Sequence, residues 1–219
     1  DFFYLKGLMR HNDSSSVGYF KKAEDCINDA LRSSPTDAQL LNTMGNILFE
    51  HGKKLSEMLK LKKIKNEQVK LQDIKGKNRK EQQKMKEQKL KNEKLAASMG
   101  GSLSMSSLRL KSRMSEITSR MEEDINETGA KCQEYFHRAK SYFLQAILHG
   151  SKSHVILRNY AMFLEYRQDN EGAEEYYLRS LEQNPDQMEC LRRYGSFLKE
   201  TYGNEAARPF FNRYKSICE

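Results

Sequence analysis

The side chains able to hold a metal ion or to run acid–base chemistry are few and poorly grouped. His149 and His154 lie five residues apart around Gly150, and Cys132 and His137 are likewise five apart. Neither pair finds the second pair that would complete a zinc-site pattern, so no metal is assigned. The four cysteines, Cys26, Cys132, Cys190 and Cys218, are separated by 106, 58 and 28 residues with no CxxC pair among them. They read as reduced thiols rather than as a disulfide framework. Adjacent acids such as Glu174-Glu175 and Glu122-Glu123-Asp124 suit a solvated helix face better than a general acid–base pair. GxxxxGK, HExxH and GxSxG strings are absent, as is any Gly-rich strand-to-helix loop. The expectation is a chain that is not an enzyme, with no catalytic residue and no cofactor.

What positions the remaining polar residues is a matter of helices. The chain has 219 residues, of which 37% are hydrophobic and 31% charged. That is too little apolar material for one spherical core over the whole length. Three prolines and twelve glycines disfavour both a turn-rich β-sandwich and a low-complexity coil. Long helices that bury one face remain, and the fold class expected is all-α. No run of about 18 apolar residues is present, so no membrane span is expected. Asp1 is not a start methionine, which points to a piece of a larger protein. Reduced thiols point to the cytoplasm, or to the cytoplasmic part of that larger protein.

The C-terminal third repeats itself. Leu157, Tyr160, Ala161, Leu164, Ala173, Tyr177 and Ser180 fall on Leu191, Tyr194, Gly195, Leu198, Ala207, Phe211 and Tyr214 at an offset of 34 residues. Each copy has two apolar runs of helical period with a polar break between them, Asp169-Asn170-Glu171-Gly172 or Gly203-Asn204-Glu205. A unit counted from His154 places small residues at its positions 8 and 20, where two helices must approach closely, and Pro185 at 32, where the second helix must stop. The same frame fits near the amino terminus. Ala23, Ile27 and Ala30 take positions 20, 24 and 27 of a first unit closed by Pro35, although Gly7 and Arg10 depart from it. Leu41, Met44, Gly45 and Leu48 then begin a second unit. Its second helix resumes only at Ala139, Phe143 and Ala146, after 82 extra residues.

A 34-residue helix-turn-helix of this kind resembles the tetratricopeptide repeat. The resemblance implies a helical-repeat solenoid over 1–53 and 131–219, with 54–130 inserted between the two helices of the second unit. A partial second resemblance is to HAT repeats, the half-tetratricopeptide units of RNA-processing scaffolds. It rests on the strings from Tyr160 to Glu165 and from Ala207 to Arg213, but the motif's tryptophan is missing. Pro209 is irregular for either family.

The insertion holds all of the positive excess. Residues 53–98 contain 16 Lys or Arg and 6 Asp or Glu, within a chain whose net charge is +8. Leu55, Met58, Leu59, Leu61, Ile64, Val69, Leu71 and Ile74 form a loose apolar stripe. Leu110, Met114, Ile117 and Met121 alternate steps of four and three like the seam of a short coiled coil. The reading is a helical hairpin, its first helix ending near Ile74 and its return beginning near Leu108, joined by a Gly/Ser tip over 98–107. A solvated Lys-rich loop without fixed structure over 75–105 is equally compatible with this composition.

Tetratricopeptide arrays hold a partner peptide or helix in a groove lined by the first helix of each unit. On that resemblance the groove positions carry Asn42 and Asn46 in the second unit, Arg158, Asn159 and Met162 in the third, and Arg192, Arg193 and Lys199 in the fourth. The carboxylate-clamp residues of chaperone-binding members are mostly replaced, by Leu8, Thr43, Val155 and Asn159, with only Asn12 in place. A chaperone tail is therefore disfavoured. The function expected is a protein–protein interaction scaffold whose partner is a peptide or helix, acidic if the arginines select it. The alternative is an RNA-processing scaffold in which the basic insertion touches phosphates. Nucleic acid is the less favoured partner because no aromatics interleave the lysines.

Overall fold

The computed structural model describes residues 15–94 and 106–219, and among them every regular element is α-helix. In chain order these are α1 (Ser15–Ser33), α2 (Ala38–Lys94), α3 (Ser106–His149), α4 (His154–Tyr166), α5 (Asn170–Gln183), α6 (Met188–Tyr202) and α7 (Asn204–Cys218). No helix among the described residues is long and apolar enough to cross a membrane. Gly7, Leu8, Arg10 and Asn12 lie outside the described residues, and so does most of the Gly/Ser tip.

Short polar breaks set the helix ends. After Pro35, the Asp37 carboxylate accepts from the backbone N–H groups of Gln39 and Leu40 at 2.8 and 3.0 Å, which satisfies two of the free donors that open α2. Asp169 does the same for α5 by accepting from Gly172 N–H at 3.1 Å. Gly203, at φ 95°, supplies the left-handed residue on which α6 stops and α7 begins. Pro209 stands inside α7 without ending it.

The chain divides into two compact units, Asp1–Lys54 with Gln133–Glu219, and Leu55–Cys132. In the first, neighbouring helices meet through a small residue facing an aromatic ring. A Cβ built on Gly45 of α2 would stand 2.9 Å from the ring of Phe143 in α3, and one built on Gly195 of α6 would stand 2.9 Å from the ring of Phe211 in α7. Neither position has room for a side chain, so both glycines are there for close approach. Phe20 and Ala23 of α1 close on Ile47, and Leu41, Ala146 and Ile156 join α2, α3 and α4. Ala161 and Ala173 are wholly buried on facing helices α4 and α5, and Ala207 is buried on α7. Tyr177 of α5 stacks on Tyr194 of α6 at 5.4 Å between ring centroids.

The second unit is an antiparallel helical hairpin. Lys62 of α2 reaches Asp124 and Thr128 of α3, each at 2.8 Å, and Lys70 reaches Glu122 at 2.7 Å. Burial along this part of α2 follows steps of four and three: Leu55, Leu59, Lys62, Asn66, Val69, Asp73 and Gly76 are buried or half-buried. That heptad period is the seam facing α3.

Three expectations are corrected here. In the seam expected for α3, Met121 is half-buried but Ile117 is exposed, because the inward steps run through Thr118, Met121, Ile125 and Thr128, while the side chains of Leu110 and Met114 lie outside the described residues. Helix α2 does not stop near Ile74 but continues to Lys94, because nothing in this stretch breaks it: no proline occurs, Gly76 is alone, and Lys, Gln and Glu are good helix formers. The solvated-loop alternative therefore fails for 75–94, while 95–105 lies outside the described residues. The loose apolar stripe is also two faces rather than one. Leu55, Leu59 and Val69 belong to the seam, whereas Leu61, Ile64, Leu71 and Ile74 are exposed.

Candidate functional site

Helices α2, α4 and α6 carry the residues assigned to a binding surface, and a polar chain links several of them. Asn159 of α4 donates through Nδ2 to Asn42 Oδ1 of α2 at 3.2 Å. Arg158 Nη2 donates to Asn159 Oδ1 at 3.1 Å. On α6 the Glu189 carboxylate is gripped by both of its neighbours one turn on: Arg192 donates through Nε and Nη2 at 3.1 and 2.7 Å, and Arg193 through Nε at 3.0 Å. These bonds, that of Arg192 foremost, hold the Glu189 carboxyl below its ordinary range.

The consequence is a division of labour among the three arginines. Arg192 and Arg193 are already paired, so their charge is largely spent within α6. Arg158 is half-buried, and burial lowers its guanidinium below the ordinary range against the opposing pull of Glu189. Its Nε–H is shut from solvent and has no acceptor among the described residues. A guanidinium carries five donors, and the hydrogen bond described for this one goes to a neutral amide oxygen. Asn42 is buried rather than lining an open face, while Asn46 and Met162 are half-buried and Lys199 is exposed. Hydrogen bonds thus make a polar belt of two groups, Asn42 with Asn159 and Arg158, and Arg192 with Arg193 around Glu189, whose charge also acts on Arg158. The repeat register assigns Glu189 to the binding face but does not give its pairing with the arginines. The i,i+3 and i,i+4 spacing from Glu189 to Arg192 and Arg193 was the available signal.

The repeat register also assigns Glu165 of α4 to the binding face. Its carboxylate accepts from the Tyr177 hydroxyl at 2.5 Å, across α4 and α5. Burial raises the Glu165 carboxyl above its ordinary range, opposed by that hydrogen bond and by Arg193. Tyr177 is pushed far up by burial and by the same carboxylate. A carboxyl whose folded value lies above its unfolded value binds more protons in the native state, so stability falls as pH rises through that window. Glu165→Gln, which keeps an acceptor for Tyr177, is expected to flatten the pH dependence of thermal unfolding above the ordinary carboxylate range. An unchanged pH slope in the variant would assign the dependence to other groups.

The repeat register also assigns Phe49 and Tyr166 to the binding face, but packing claims Phe49, and Tyr166, though exposed, lies against it. Phe49 is buried and meets Phe163 and Tyr166 edge-on, each at 5.4 Å. Lys53 covers both rings, 5.1 Å from Phe49 and 5.9 Å from Tyr166. A separate open cleft between α3 and α4 is lined by His137, Lys140 and Arg167, but Arg167 already donates to Gln133 at 3.2 Å and lies over Phe136. No three His, Cys, Asp or Glu side chains among the described residues converge on a point that could hold a metal ion. Comparison with known proteins finds no family model and no curated protein that matches the chain.

Proposed function

We propose that this chain is a non-catalytic protein–protein interaction scaffold of tetratricopeptide type, which holds an acidic segment of a partner along α2, α4 and α6. Support for the repeat comes from its helix contacts. Gly45 meets Phe143 at a separation of 98 residues, and Gly195 meets Phe211 at a separation of 16. The contact type is the same, and the difference is the 82 residues by which the sequence register is interrupted. Stacked helix pairs of this kind present equivalent positions of successive first helices to one surface.

The observation that carries the acidic preference is Arg158, a half-buried cation with donor capacity left over. A half-desolvated guanidinium whose described hydrogen bond goes to a neutral acceptor is costly, and a partner carboxylate at its terminal nitrogens would offset part of that cost, the buried Nε–H staying out of its reach. Asn42 fixes Asn159, which accepts from Arg158, so the guanidinium is held in place before the ligand arrives, which lowers the entropy lost on binding.

Peptides selected from a displayed library on the full chain are expected to be rich in Asp and Glu. Arg158→Ala should weaken them by about tenfold or more, the worth of a charge-assisted hydrogen bond, and should leave thermal unfolding unchanged or slightly raised. Selection of neutral or basic peptides, or undiminished affinity in the variant, would count against this surface.

A further inference from the structure

In a hairpin stable by itself, the aliphatic residues face the partner helix and the charged ones face water. The Leu55–Cys132 unit departs from this pattern, because its α2 seam mixes Leu55, Leu59 and Val69 with polar residues. Its seam contains Lys62, Asn66 and Asp73, and the buried Asn66 Oδ1 has no partner among the described residues. Meanwhile Leu61, Ile64, Leu71 and Ile74 are 58%, 51%, 56% and 51% exposed. Ile64 and Leu71 are one heptad apart and lie opposite the seam, with Leu61 and Ile74 to either side. Met85, two heptads beyond Leu71, is exposed as well. Single exposed apolar residues need no explanation, but a heptad-spaced row on one face does.

The charge around the row decides what covers it. Between residues 60 and 75 the exposed ionic side chains that are not bound to α3 are Lys60, Lys63, Lys65 and Lys75 against Glu67 alone. A second copy of the same helix would bring lysines against lysines. A lipid surface would be met without interfacial anchors, since the unit contains no Phe, Tyr or Trp. A nucleic acid would use the lysines and leave the aliphatic row wet. An amphipathic helix with aliphatic residues at heptad spacing and Glu or Asp beside them satisfies both features, because the flanking charges of a coiled coil select its partner. We infer that the outward face of α2 from Leu61 to Ile74 docks an acidic amphipathic helix of a partner protein, about 20 Å of it. This surface is independent of the Arg158 belt.

The test uses the full chain and two synthetic helical peptides with Leu at the heptad core positions, one flanked by Glu and one by Lys. The Glu peptide is expected to bind at least about tenfold more tightly. The four-fold variant Leu61→Ser, Ile64→Ser, Leu71→Ser and Ile74→Ser should lose about a hundredfold of that affinity. These side chains are exposed, so helicity should persist. Reversing Lys60, Lys63, Lys65 and Lys75 to Glu leaves the aliphatic row intact and should switch the preference to the Lys peptide, which keeps the test decisive if the serine variant unfolds. Hydrogen exchange on the complex should show added protection in α2 between Leu61 and Ile74, whereas protection confined to α4 and α6 would put the peptide on the other surface and overturn the assignment. Equal binding of both peptides would overturn it, as would capture by phosphatidylserine vesicles alone or a concentration-dependent dimer abolished by Leu71→Glu.

Discussion

Phe143→Ala is expected to lower the unfolding free energy of the repeat-bearing unit by about 3–5 kcal/mol, the range for deleting a buried aromatic ring. Phe143 is wholly buried on α3. Its ring fills the space that Gly45 leaves open on α2, and its centroid lies 6.0 Å from Tyr160 and 5.7 Å from Phe163 on α4. Three helices therefore lose contacts at once, and collapse of the void is limited because each wall is itself packed against others. Phe211→Ala removes the equivalent ring at the last helix pair, where the side chain is only half-buried, so its cost should be smaller. Urea unfolding followed by circular dichroism would give both values. Equal losses would mean that Phe143 does not join α2, α3 and α4 as its contacts indicate.

The Gly45–Phe143 contact shows what a single sequence can reveal. A small residue and a large one recur at fixed places in a 34-residue frame, and that recurrence pairs two residues 98 positions apart. Composition likewise foretold helices, and it understated α2 only because the thinning apolar stripe was taken for a stop signal. The hairpin seam was not legible. Leu55, Leu59 and Val69 share helical periodicity with Leu61, Ile64, Leu71 and Ile74, and apolar counting favours the second set, which the structure leaves exposed. Lys62, Asn66 and Asp73 in the seam would have argued against the true face. The repeat register could propose binding positions but not their chemistry: whether an arginine is spent or available depends on its pairing with Glu189 and on burial, and neither follows from the register.

Glu24→Ala is expected to cost on the order of 3 kcal/mol, through groups left unpaired rather than through lost volume. Glu24 on α1 is buried, with Oε1 3.0 Å from His51 Nδ1 of α2 and Oε2 accepting from Arg138 Nη2 of α3 at 3.2 Å. One carboxylate thus ties three helices together, residues that stand 27 and 114 positions away from it. The His51 ring is sandwiched by Phe20 at 5.3 Å and Tyr135 at 4.0 Å, so it cannot turn outward to find water. Arg138 is partly exposed, and solvent will recover some of its loss. Glu24→Gln keeps an acceptor and the side-chain volume, and should cost less than half as much. The double variant Glu24→Leu with His51→Leu should regain much of the alanine variant's deficit, since a buried polar pair replaced by well-packed apolar groups is commonly neutral. Hydrogen exchange should find the loss in Glu24→Ala concentrated in α1, whose other anchors are Phe20, Ala23 and Ile27 against Ile47. Uniform loss across all helices would instead make the Glu24 cluster part of the common core, with α1 as firmly held as α4.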